Sequence, residues 1–405
     1  MFHSAIVVLA LLNPPSAASA PQAAVEASPS DSSPSDSSLA KPHQVELLEL
    51  GFDAASRIPG NPHERDRARV QETVARTAFQ LGLKTRSAAM ANQIANWRKG
   101  TIFADLAVDA ARAGRADAAE TFSRFARNAV GGAQQWQSER VLARLAEAQV
   151  VLGKSAEALE TEKKFGESEK GKVTAALAQL PDADFDAILA EAERAFATGN
   201  FELTANALEI CARLGERNDA DDARWSRIED LVGRAKGKVA REIHIRSYLR
   251  LADARIARQA PAAARALVER AKALRDEVRW TPDSELPLTA EIARRLAAAG
   301  DRDAAIAELD KGLESFRANE RLVADIFRAG ALCPAAEALV ALGEEERARA
   351  VYRAAIEAGA LNPNARPRAE DLAQTAASLA RSGIEPDEAT WARLRAIRDG
   401  LTDPW

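Results

Sequence analysis

Apolar residues recur along this chain at three- and four-residue spacing, and no stretch shows the strict alternation of a half-buried strand. Each periodic run ends on a small residue plus Gly, crosses one or two polar residues, and resumes as a second Ala-rich run. The breaks fall at Leu81-Gly82, Ala113-Gly114, Leu152-Gly153, Thr198-Gly199, Ala299-Gly300, Leu342-Gly343 and Ser382-Gly383. Most neighbouring breaks lie 32 to 46 residues apart. The longer interval from Gly199 to Gly300 has room for one more pair, with Gln259-Ala260 standing where the Gly would be. A period of this size predicts helical hairpins, each unable to bury its apolar face alone and so stacked on its neighbours. Hairpins are expected at about 62–98, 101–130, 135–165, 182–214, 240–278, 285–317, 320–358 and 368–399. Helices near 169–180 and 219–236 fit this pairing less well. The fold class is all-α, an α-α superhelix.

Local signals refine the boundaries. Asn61-Pro62 reads as a helix start, with Asn as cap, Pro in the first turn and Glu64 behind them. Pro181-Asp182-Ala183-Asp184 starts another helix with acidic caps, which suit the positive end of the helix dipole. The turn-rich run around Trp280–Leu286 is read as the boundary between two sub-arrays, 43–279 and 280–405, with a longer inter-repeat loop as the plainer alternative.

The first forty residues read differently. An apolar run from Ala5 to Leu12 precedes the small residues Ser16-Ala17-Ala18-Ser19-Ala20, the order of a secretory signal peptide spanning 1–20. The n-region carries no Lys or Arg, and Pro21 obstructs cleavage after Ala20, which favours cleavage after Ala18. The run is far shorter than the roughly 20 residues a membrane-spanning helix needs. Residues 21–42 are rich in Ser, Pro and Asp and lack the apolar content to fold, as expected of a disordered linker. The expected location is therefore periplasmic or secreted; without a working signal the chain stays cytoplasmic. No membrane-spanning segment is expected in the mature chain.

Composition narrows the function. Hydrophobic residues make up 47% of the chain, enough for a core, but aromatics only 5%, which leaves few platforms for sugars or bases. The net charge of −5 argues against nucleic acid as a partner. Cys211 and Cys333 lie far apart on separate helices and read as small buried hydrophobes.

The segment Leu288–Phe316 resembles a tetratricopeptide repeat. That family places a small residue at the inter-helix turn, Ala five residues later, and apolar or aromatic residues beyond; Gly300, Ala305 and Leu309 take those places. Gly343, Ala348, Tyr352 and Ala355 repeat them, and Gly114 with Ala119 and Gly153 with Ala158 match in part. The resemblance spans about 62–399, although the spacing often exceeds the family's repeat length and its early Trp and late Pro are mostly missing. It implies close helix contacts at Ala119, Ala158, Ala305 and Ala348, and a concave face for partners. Where family members grip a terminal carboxylate, the matching positions here are Ala290, Arg294 and Ala297, then Cys333, Glu337 and Val340. Only Arg294 among them suits a carboxylate.

Motifs for chemistry are sparse. Gly166-Glu167-Ser168-Glu169-Lys170-Gly171-Lys172-Val173 approaches a phosphate loop but has Val173 in place of the magnesium-binding hydroxyl and no strand before it. Asn218-Asp219-Ala220-Asp221-Asp222 lacks the Gly and closing Glu of a calcium loop and reads as helix capping. His3, His43, His63 and His244 are scattered and make no metal-ligand pair, and the six Trp do not cluster. No catalytic residue, cofactor or metal is expected. One charge pattern stands out. Residues 182–230 hold thirteen acidic and five basic residues, and residues 233–279 thirteen basic and five acidic. Arg234, Lys238 and Arg241 share a face at helical spacing. They form a candidate basic surface for an acidic partner, with charge pairing between adjacent hairpins as the plainer alternative. With Arg294 they are the candidate partner-binding residues. The expected function is an exported scaffold or adaptor that binds another protein; the alternative is a helical-toroid enzyme acting on cell-wall or extracellular polysaccharide.

Overall fold

The computed structural model describes residues 40–217 and 221–405, all within one compact unit. The expected signal peptide and nearly all of the expected linker lie outside the described residues. Among the described residues there are nineteen α-helices and no strand. In chain order they are α1 (Pro42–Arg57), α2 (Gly60–Gln80), α3 (Lys84–Asn92), α4 (Arg98–Arg112), α5 (Ala116–Ala129), α6 (Gln135–Val151), α7 (Ser155–Glu162), α8 (Lys172–Leu177), α9 (Phe185–Ala197) and α10 (Phe201–Gly215). Then follow α11 (Asp222–Gly233), α12 (Arg241–Ala257), α13 (Pro261–Asp276), α14 (Pro282–Ala298), α15 (Arg302–Asn319), α16 (Asp325–Ala341), α17 (Glu345–Ala360), α18 (Ala365–Ser382) and α19 (Glu388–Asp399).

The turn glycines explain the hairpins. All seven predicted ones lie in the left-handed region, with φ from 69° at Gly383 to 89° at Gly300, a conformation that costs other residues energy. Gln259 adopts φ 56° at the place where the period asks for Gly. Ala119, Ala158, Ala305 and Ala348 are fully buried, as the repeat register requires. Asp184 caps α9 by accepting the N–H groups of Asp186 and Ala187, and Asp221 caps α11 by accepting that of Arg224. At Asn61-Pro62 the details differ: Asn61 and His63 have non-helical dihedrals, so regular helix begins after His63, slightly later than expected. Cys211 and Cys333 are buried and unpaired, and burial pushes each thiol up to about 12.

The helices form two layers. Each even-numbered helix from α2 to α18 packs on the next even-numbered one, and α18 packs back on α2. The odd-numbered helices cover this inner layer from outside. The array therefore closes on itself instead of ending as an open superhelix. The run around Trp280–Leu286, read above as a division, is a loop and the start of α14 within this cycle, and α13 packs directly on α14 across it.

Helix α1 makes the closure. It lies against α18 and α2, with Leu47, Leu48, Ala54, Ala55 and Ile58 almost wholly buried. Gly51 permits the close approach: a Cβ there would stand 3.2 Å from the carbonyl oxygen of Ala373 and 3.3 Å from the Ala376 methyl. Gln44 Nε2 donates to the Ala380 carbonyl at 2.6 Å, an intrahelical acceptor near the end of α18. Arg69 pairs with Glu370 at 2.7 Å, and Arg381 donates to Thr77 Oγ1 at 3.1 Å, so charged and polar groups also bridge the seam.

Candidate binding recess on the inner wall

Where α18, α2, α4 and α6 stand side by side, the inner wall has a recess of about 540 Å³. Its lining comes from facing turns of these helices: Arg69, Glu72, Thr73, Arg76, Thr77 and Gln80 on α2, Arg98, Thr101 and Asp105 on α4, Arg140 and Arg144 on α6, and Arg381 on α18. Six arginines face two carboxylates, a formal balance of +4 in a chain whose net charge is −5.

The two carboxylates organise the arginines. Glu72 is buried and accepts Thr101 Oγ1 at 2.6 Å and Arg76 at 2.9 Å, with Arg98 on its other oxygen. Burial pushes its carboxyl up, but the hydrogen bonds from Thr101 and Arg98 and the charge of Arg76 outweigh this and hold it below the ordinary value. Asp105 takes Arg76 on one oxygen and Arg144 Nε at 2.8 Å on the other. Arg144 also reaches Glu147; burial opposes its charge, and the two carboxylates more than restore it. A guanidinium has five N–H donors. Arg69 and Arg98 each spend one nitrogen on a carboxylate and keep donors to spare. Arg140 is exposed and, among the described residues, has no hydrogen bond or close ion pair, although its charge acts on the nearby Glu169 carboxylate. The recess thus presents fixed donors around one cation that no described carboxylate holds at close range.

The candidates read from the sequence fall elsewhere. Helix α11 ends at Gly233 and Gly237 takes φ 79°, so the segment before Arg241 is a loop and the helical spacing across it does not apply. Arg234 and Lys238 come together over the Phe196 ring, at 5.1 and 4.0 Å from its centroid, and Arg234 also pairs with Asp230 at 3.4 Å. Arg241 turns away to Glu277 at 2.6 Å, which also holds Lys236. The charged segments cross-link the ring as well: Glu229 takes Arg255 and Arg270, while Arg265 and Lys272 reach forward to Asp301 and Glu308. Arg294 is on the inner layer, 4.0 Å from Glu337, which also takes Arg381 at 2.7 Å. The concave register assigned to Arg294 and Glu337 is therefore the register of the inner wall.

No family model matches the sequence, and no curated protein matches it. The tetratricopeptide resemblance rests on the turn and Ala pattern alone.

The near-phosphate loop is a connection between α7 and α8, and its last N–H faces a carboxylate of the chain itself, with Glu162 accepting Val173 N–H at 2.9 Å. Of the acidic run at 218–222, residues 218–220 lie outside the described residues and Asp221 serves as a helix cap. Among the described residues no group of side chains is placed to hold a metal ion, and no helix is long and apolar enough to cross a membrane.

The arginine recess was missed because its residues come from four helices and from both ends of the chain. A partial signal existed. The position six residues before the turn residue is Arg76, Glu147, Glu193, Asp253, Arg294 and Glu337 in six of the eight turns, a charged register on otherwise Ala-rich helices.

Proposed function

We propose that the protein is a helical-repeat scaffold that holds another protein against the inner wall of its ring, the partner presenting an acidic segment to the arginine recess. It acts after export, with residues 1–20 as the signal. The observation that carries this reading is Arg140, which no described carboxylate holds at ion-pair distance, beside five arginines already fixed by carboxylates and hydroxyls. Donors held in place before binding lose little freedom on contact, and arginine forks match carboxylates in two-point geometry. Gln80 adds a neutral donor and acceptor for the amides of an extended chain, and the hydroxyls of Thr73 and Thr77, which donate to their own helix, add acceptors.

The ring would also suit a polysaccharide hydrolase. Such an enzyme needs one carboxyl kept protonated to act as acid. Both carboxylates of the recess are instead clasped by arginines, and Glu72 is held below its ordinary value, which favours binding over catalysis. A photo-crosslinking amino acid at Gln80, introduced in the native cell, tests the reading. A protein with an acidic segment should be captured, and Arg140→Glu should abolish the capture while leaving the melting temperature unchanged. Capture that survives Arg140→Glu, or capture of glycan and no protein, would sink it. Mass spectrometry of the native chain checks export, which an intact Met1 would refute.

A further inference from the structure

On the outer side of the ring, α7, α8, α9 and α10 enclose a cleft of about 710 Å³, within the range of about 300–1,000 Å³ usual for small-molecule sites. It lies where the helices are short: α7, with eight residues, leaves the outer layer open beside α9, and α8 below it has only six. Leu159, Ala195, Leu203 and Ile210 supply apolar walls. The floor is built: Asn206 Nδ2 donates to the carbonyls of Glu167, Ser168 and Lys170 at 3.1, 3.2 and 2.6 Å, which fixes the loop before α8.

The charges at the cleft cancel in pairs, with two exceptions. Glu160 holds Lys163, and Glu191 holds Arg194. Lys170 stands exposed at the mouth. Glu162 is half-buried in the cleft, accepts Val173 N–H at 2.9 Å with the N–H groups of Gly171 and Lys172 also turned to it, and has no cation paired with it among the described residues. A carboxylate partly withdrawn from water beside an apolar wall is stabilised by a cation brought to it.

We propose that this cleft binds a small molecule with an apolar body and one protonated amine, the body between α7, α9 and α10 and the ammonium on Glu162. The site is separate from the inner-wall recess, so either can fail alone. Calorimetric titration of the full chain with octylamine, octanol and octanoate tests it at concentrations below micelle formation. Octylamine should bind with one-to-one stoichiometry, roughly fivefold to tenfold tighter than octanol, the range of a partly exposed charge-assisted contact. Octanoate should bind no tighter than octanol. Glu162→Gln keeps an oxygen for Val173 N–H and should erase the advantage of the amine while sparing octanol. Leu203→Trp should fill the cleft and weaken all three. The proposal is overturned if the wild-type chain binds none of them. It is also overturned if octanoate binds tightest, which would assign the head group to Lys170, or if Glu162→Gln leaves the preference for the amine intact.

Discussion

Closure of the ring at Gly51 can be broken by one side chain. A Cβ at this position meets the Ala373 carbonyl oxygen at 3.2 Å and the Ala376 methyl at 3.3 Å, so even Ala requires α1 and α18 to part by a few tenths of an ångström. Ala also gains about 1 kcal/mol of helix propensity over Gly, so Gly51→Ala should be nearly neutral. Gly51→Leu adds three more carbons against the backbone of α18, with no flexible neighbour to yield. Overpacking of this kind costs about 1–3 kcal/mol. The cost falls on the seam first, because α1 is joined to α18 only by packing and side-chain contacts, not by the chain. Labels on Glu46→Cys and Arg395→Cys report on it, since these residues form an exposed ion pair at 2.6 Å and both native cysteines are buried. In the Leu variant the label distance should lengthen below the main unfolding transition while helical circular dichroism persists. Unchanged distance and unchanged melting temperature in Gly51→Leu would refute both the closure and the role given to Gly51.

Three further outcomes follow from single positions. Ala305→Leu should cost about 1–3 kcal/mol in urea unfolding, because Ala305 is fully buried between the helices of its hairpin. Gln259→Gly should raise stability by about 0.5–1 kcal/mol, since Gln259 is held at φ 56° and Gly relieves the left-handed strain at some entropic cost. Asp371 is pushed up to about 7 by burial, then by the charge of Glu370, against the hydrogen bond from Asn362. A raised carboxyl makes the folded state bind more protons, so its favourable contribution is full below about pH 4 and fades as pH rises through about 7. Asp371→Asn should therefore leave melting at pH 5 little changed and raise it at pH 8, by an amount on the order of 1–3 kcal/mol. A variant gain equal at both pH values would contradict that account.

The hairpins were legible because their causes are local. A turn needs a left-handed residue, and Gly supplies it; a close helix pair needs Ala, and Ala305 and Ala348 stand five residues after the turn in both cases. Even the exception was legible, since Gln259 marks the turn by its place in the period. The closure was not. It joins Leu47 and Gly51 to Ala373 and Ala376, over three hundred residues apart, and nothing local distinguishes α1 from the first helix of an open array. The helical face assigned to Arg234, Lys238 and Arg241 failed for a local reason that spacing alone does not weigh: two glycines, Gly233 and Gly237, interrupt it.

The closed ring also changes how the charges are to be understood. In an open array an inward arginine faces water and a surface ion pair adds little. Here the inner helices stand shoulder to shoulder, and several charges meet partners from the next repeat: Arg76 with Asp105, Asp105 with Arg144, Arg295 with Asp253, Arg294 and Arg381 with Glu337. Such a belt fixes the register between repeats and leaves few cations to recruit a partner. A cation that stays outside the belt is then informative in a way that the many arginines of the basic segment are not. Arg140 is such a group, while Arg241 and Arg265 are already held by Glu277 and Asp301. The binding argument therefore rests on where pairing is incomplete, not on where positive charge is densest along the sequence.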